Sequence, residues 1–152
     1  MPKGKYYEEF NVGDEFVTPA RTITESMIST LVTTGGFIAP LFCDAEFARG
    51  SVFGTLIAPG KATLLIMDGL EEQHGFMIDT AMAFVGMENV KFKAPLRAGD
   101  TIHVHVKVLD RRETSKPDRG LVTHRSTCIN QRGETLVETD TTHLIMRKPG
   151  SP

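Results

Sequence analysis

Lys61 to Gln73, KATLLIMDGLEEQ, is the stretch that most limits the folds open to this chain. Ala62, Leu64, Leu65, Ile66, Met67 and Leu70 make it a helix that is apolar on most sides, and such a helix needs other structure to cover it. The cover has to come from the rest of the chain. Downstream, the apolar period changes from helical to alternating. Ile102, Val104, Val106 and Val108 alternate with His103, His105 and Lys107 across Thr101–Asp110, the pattern of a half-buried strand. Strands are also expected over Ala83–Phe92, Gly120–Asn130 and Thr135–Met146, with a hairpin loop at Ser115–Gly120 and a turn around Gly133. The expected class is α+β, one long helix wrapped by a curved, mostly antiparallel sheet.

Local signals place the remaining elements. Thr24 is a suitable N-cap for a short helix whose apolar face is Met27, Ile28, Leu31 and Val32, and Gly35-Gly36 stops it. Asp44 can cap the turn AEFAR, which Gly50 ends. FNVGDEF and PLRAGDTI each carry a Gly-Asp turn that launches a strand, so Asp14 and Asp100 read as turn formers. His74-Gly75 closes the long helix, with Gly75 as its C′ residue. Gly69 lowers helix propensity by about 1 kcal/mol against Ala, which suggests close packing at that turn.

The 152 residues fit one domain, 1–152. A net charge of −2 with dispersed Lys and Arg argues against a nucleic-acid or membrane-surface partner. No apolar run approaches the roughly 18 residues that would span a bilayer, and MPKGKYYEEF has no apolar signal core. Cys43 and Cys128 form no disulfide or metal pattern, so free thiols in a cytoplasmic protein are expected.

From Gly36 to Gly60 the chain reads GFIAPLFCDAEFARGSVFGTLIAPG. This segment resembles the MaoC-like dehydratases and (R)-specific enoyl-CoA hydratases of the hot-dog fold. Their loop reads G-D-x-N-P-x-H-x-D, then E-F/Y-A, then F-G-x-x-I-A-H-G ahead of the central helix. Gly36, Pro40, Asp44, Glu46-Phe47-Ala48, Phe53-Gly54, Ile57-Ala58 and Gly60 fix the frame here. The likeness runs from FNVGDEF through TITESMISTLVTTGG to ENVKFKAPLRAGDTI and the last hairpin.

The resemblance implies a lyase that adds water to a trans-2-enoyl thioester, usually a coenzyme A ester, to give the (R)-3-hydroxyacyl product. Coenzyme A is then part of the substrate, with no separate cofactor and no metal. A homodimer or higher homo-oligomer is implied too, because the fold pairs two sheets edge to edge. Family members hold a water between an Asp and a His, and an amide at the head of the central helix polarises the thioester oxygen. That amide is Gly60 in this chain. The family's Asp falls on Phe37, its Asn on Ala39 and its His on Phe42, and the His of I-A-H-G falls on Pro59. The thioester cradle is kept while the acid–base pair is gone.

Asp68 is the local replacement to consider. It lies eight residues after Gly60, roughly two helical turns, on about the same helix face. It could serve as a general base, or as the carboxylate of a helix or subunit contact. Phe37, Phe42 and Pro59 would wall an acyl pocket, although the two rings could equally be core. Lys91 and Lys93, with Arg97, could hold coenzyme A phosphates or simply be outward strand positions. Glu71 and Glu72 read as a solvated helix end, His74 as a C-terminal cap, and Cys43 as a small buried hydrophobe. His103 and His105, with His124 and His143 on neighbouring strands, suit a polar sheet face better than a zinc site. Three functions remain: a hydratase or dehydratase with relocated acid–base groups, a non-catalytic acyl-thioester binder or silent subunit of a heteromer, and a thioesterase.

Overall fold

A computed structural model describes residues 4–150. The domain bounds read from sequence take in residues 1–3 and 151–152 as well, as does the reading of the N-terminal segment, and those residues lie outside the described part. A 3-10 turn, Tyr7–Glu9, leads into β1 (Glu15–Val17) and β2 (Arg21–Thr22). Gly13 takes φ +94° in the turn before β1, and Asp14 accepts from the Asn11 amide and the Lys5 ammonium there. Asp14 is the turn former its setting predicts.

Helix α1 (Glu25–Thr34) begins where Thr24 Oγ1 accepts the Met27 amide. A four-residue turn not expected from the sequence, α2 (Pro40–Cys43), comes next, with Pro40 at its first position. In α3 (Ala45–Arg49), Asp44 Oδ1 accepts both the Glu46 and Phe47 amides at 3.0 Å. Asp44→Ala should therefore destabilise by about 1 kcal/mol, read as a lower urea midpoint with an unchanged slope.

The long helix, α4 (Gly60–His74), ends at Gly75 in the left-handed region at φ +88°, where glycine carries no Cβ penalty. It is followed by β3 (Ala81–Phe92), β4 (Thr101–Glu113), β5 (Arg119–Asn130) and β6 (Thr135–Met146). The sheet is antiparallel in the order β1-β4-β5-β6-β3, with β2 also on β4. Ile102, Val104, Val106 and Val108 are all buried, and the residues between them are not, as the alternation predicts. With Phe10, Ile23, Met67, Leu70, Phe76, Leu136 and Ile145 they form the core under α4.

Two expectations change. Helix α4 is not covered on most sides: Ala62, Thr63, Met67, Leu70 and Glu71 are buried, while Leu65 is 59% exposed. Nothing lies within 4 Å of a Cβ built on Gly69, so no close packing at that turn explains the glycine within one copy. The second open surface is β3, the edge strand, where Met82, Phe84, Val85, Val90 and Phe92 are all exposed.

Candidate functional site

The head of α4 is set by three local choices. Pro59 is buried at the N-cap with extended dihedrals, φ −55° and ψ 140°, and its carbonyl accepts the Ala62 and Thr63 amides. Ala58 is tied to the sheet by its amide donating to Leu96 O at 2.9 Å. Gly60 brings the backbone close to β3, since a Cβ there would lie 2.8 Å from Phe92 Cε1. As a first-turn donor the Gly60 amide has no partner inside the helix, and among the described residues it donates to nothing else. A cavity of about 350 Å³ opens before it, walled mainly by Leu41, Phe42, Phe53, Ile57 and Phe92, with Thr63 and Lys93 as its polar side chains. Lys93 Nζ lies 3.6 Å from Glu138. No carboxylate or imidazole lines this cavity among the described residues.

Of the residues singled out from sequence, Gly60, Phe42 and Lys93 come together here. Phe37 does not reach the cavity. Its ring packs edge-on against Phe42 at 5.7 Å and joins the rim of the core. Pro59 caps the helix instead of walling the pocket. Lys91 points from the outer face of β3, beside the Asp140 that Arg125 and Asn89 bind. Sequence reading missed Phe53 and Phe92. Phe92 stands opposite Val137, an inner-face residue, and only the strand register reveals that.

Asp68 belongs to a different place. Eight residues of helix separate it from Gly60 by about 12 Å, and it lines a second cavity of about 250 Å³ with Glu71, Glu72, Met77, Phe84 and His143. Behind that cavity, His124 Nε2 and Glu71 Oε2 are 2.9 Å apart in full burial. His124 and His143 stack with ring centroids 5.4 Å apart. These placements overturn three sequence readings. Glu71 is core, not solvated helix end, and His124 is core, not polar sheet face. His143 also turns inward, with Nδ1 buried and unpartnered. The reason lies in register: Val122, His124, Ser126 and Cys128 alternate on the inner face of β5, and His143 stands opposite Val122. His103 and His105 do lie on the half-exposed outer face, His105 beside Glu15.

Burial, reinforced by the neighbouring Glu71 charge and eased by His124, pushes the Asp68 carboxyl up to about 6. Burial and the His124 charge hold His143 down to about 4. Asp68 thus binds its proton more tightly in the folded chain. Its stabilising share is full below its ordinary 3.8 and is lost as pH rises through about 6. His143 has the opposite sign, with a share present above 6.5 and lost as pH falls through about 4. The two trends oppose each other between pH 6.5 and 4, so either substitution unmasks the other. Melting curves at pH 7 and pH 5 should show Asp68→Asn losing more Tm on acidification than wild type, and His143→Phe losing less.

Comparison with known proteins agrees with the architecture. A family model described as the MaoC like domain matches residues 9–128. Protein MaoC of Klebsiella aerogenes is 34% identical over 118 residues, 78% of this chain but 34% of that protein. The chain therefore spans about a third of the length of that relative. An (R)-specific enoyl-CoA hydratase of Rhodospirillum rubrum is 29% identical over 140 residues, covering 92% of this chain and 91% of that protein. The crystal structure of a MaoC-like dehydratase from Rhodospirillum rubrum superposes with a TM-score of 0.83 at 32% identity, covering 96% of this chain and 99% of the other. The antiparallel sheet packed on one long helix is the hot-dog fold, shared by solved structures that superpose on this chain.

Proposed function

Because this chain belongs to the MaoC-like domain family, we propose that it binds an acyl thioester, a coenzyme A ester, with the carbonyl oxygen on the Gly60 amide and the acyl chain in the apolar cavity. It then acts as a hydratase or dehydratase between enoyl and 3-hydroxyacyl thioesters. The observation that carries this reading is the unpaired amide at the head of a fifteen-residue helix, opening into that cavity. Backbone N–H groups at a helix N-terminus stabilise the negative charge that develops on a thioester oxygen as water adds to the conjugated double bond. Lys93 at the cavity provides a cation for the coenzyme's phosphates.

A homodimer is part of the proposal. An unpaired, apolar edge strand is a template for pairing with another chain, and β3 carries five exposed large apolar side chains. A second reading, a non-catalytic acyl-thioester binder, draws support from Phe37 and Phe42 in the loop and from a cavity without carboxylate or imidazole.

Loss of enoyl absorbance from crotonyl-CoA and longer homologues tests the first reading. The expected result is hydration without release of free thiol. Thiol release would point to thioester cleavage. Thermal stabilisation by acyl-CoA with a flat trace at every chain length would leave the binder. No stabilisation and no turnover would overturn both.

A further inference from the structure

Helix α4 has another open flank, where α1 packs beside it. A groove of about 380 Å³ runs between the two helices, with Met27 and Leu31 of α1 and Leu65 and Ile66 of α4 as its apolar walls. Met27 and Ile66 rest on the core, so packing fixes the floor. Leu65 stays mostly exposed, and a Cβ built on Gly69 would meet nothing within 4 Å. The chain itself leaves this space unfilled.

The polar lining carries charge of one sign. Arg21 of β2 reaches the groove, and its guanidinium has no hydrogen bond, ion pair or ring contact among the described residues. No carboxylate among the described residues lines the groove. Helix geometry gives the reason. At about 100° per residue, Ile66, Gly69 and Gln73 share one stripe of α4, which turns Asp68 and Glu72 to the other flank and the cavity beside Phe84. Glu25 of α1 lines a different cavity, with Cys43 and Arg49. The hydroxyls are already engaged: Thr30 Oγ1 donates to Ser26 O at 2.8 Å, and Ser26 Oγ lies 3.0 Å from Thr24 Oγ1. A ligand would find an apolar trough, one unpaired guanidinium and the Gln73 amide.

We propose that this groove binds a medium-chain fatty carboxylate, its chain along Leu31, Leu65 and Ile66 and its head on Arg21. The guanidinium fork matches a carboxylate bidentately. One cation suits a monoanion. A phosphate monoester carries roughly −1.5 to −2 at neutral pH, and no second cation lines the groove. Size argues for a small molecule. The groove sits near the lower end of the roughly 300–1,000 Å³ of small-molecule sites, while a protein partner needs about 800 Å² from each side. The groove shares no lining residue with the Gly60 cavity, so this site stands apart from the acyl-thioester reading.

Calorimetric titration with decanoate, kept below its micelle concentration, tests the site. Wild type should bind with a Kd of roughly 10⁻⁵–10⁻⁴ M. Arg21→Gln removes a charge that holds nothing else in the fold, so Tm should stay the same while Kd weakens about 10-fold or more. Gly69→Leu fills the open turn and should abolish binding, with a gain in helix propensity. Decanol has the same chain without the charge, and it should bind wild type about as weakly as decanoate binds Arg21→Gln. The Met27 methyl and Arg21 Nε–H resonances should move with decanoate, and the Gly60 amide should not. No binding at about 1 mM decanoate overturns the proposal. Equal binding of decanol, an affinity unchanged in both variants, or shifts centred on Gly60 would do the same. If decanoate never binds and Gly69→Leu instead splits an oligomer, the groove is a contact between copies and the proposal fails.

Discussion

Gly60→Pro should lower the hydration rate roughly 10²–10³-fold while leaving α4 folded, an effect comparable to removing one oxyanion donor. Proline deletes the amide hydrogen and adds a ring carbon that presses on Phe92. It is at home in the first helical position, and the residue before it, Pro59, already holds the extended conformation that a following proline requires. Gly60→Ala is the control. It places a similar carbon 2.8 Å from Phe92 Cε1, so the ring must shift, but it keeps the N–H. The difference between the two variants isolates the hydrogen from the crowding. If they behave alike, crowding against Phe92 accounts for the loss and the amide plays no part.

The second large effect is on stability. Glu71→Leu should destabilise by about 2–4 kcal/mol, because it leaves His124 buried with no partner for Nε2. At roughly 2–4 °C per kcal/mol for a chain of this size, Tm should fall by about 5–15 °C. His124→Leu should act similarly from the other side. The double variant should recover most of the loss, since two apolar side chains replace a buried polar pair at little net expense. The coupling energy from the four melts measures the pair directly. Additive losses would mean that the 2.9 Å contact contributes little.

Local chemistry made much of this fold legible in advance. Thr24, Asp44 and Gly75 announce helix ends through the groups they offer to nearby amides and carbonyls, and each does so in the structure. The valine alternation of β4 predicts its buried face because a strand has only two faces. Glu71 shows where that reasoning fails. It follows another carboxylate-bearing turn and precedes Glu72, so it looks like a solvated end. Yet it falls on the stripe of Thr63, Met67 and Leu70, the buried face of α4. The periodicity contained that signal, but the partner that makes burial tolerable, His124, is 53 residues away.

The candidate site was legible at the loop and at Gly60, where spacing carries the information. Asp68 shared a helix face with Gly60 in sequence, but distance along the axis set them in different cavities. Leu65 and Gly69 looked like core because composition cannot say whether a helix face is covered by its own chain or by another copy.

The central claim is that the Gly60 amide grips the thioester carbonyl. The most direct measurement is the ¹H–¹⁵N correlation of Gly60 in labelled protein titrated with butyryl-CoA, with free coenzyme A as reference. A hydrogen bond to the carbonyl predicts a downfield amide-proton shift with the acyl ester that coenzyme A alone does not produce. If butyryl-CoA binds and moves other resonances while the Gly60 amide stays where coenzyme A leaves it, the thioester is held elsewhere and the account fails.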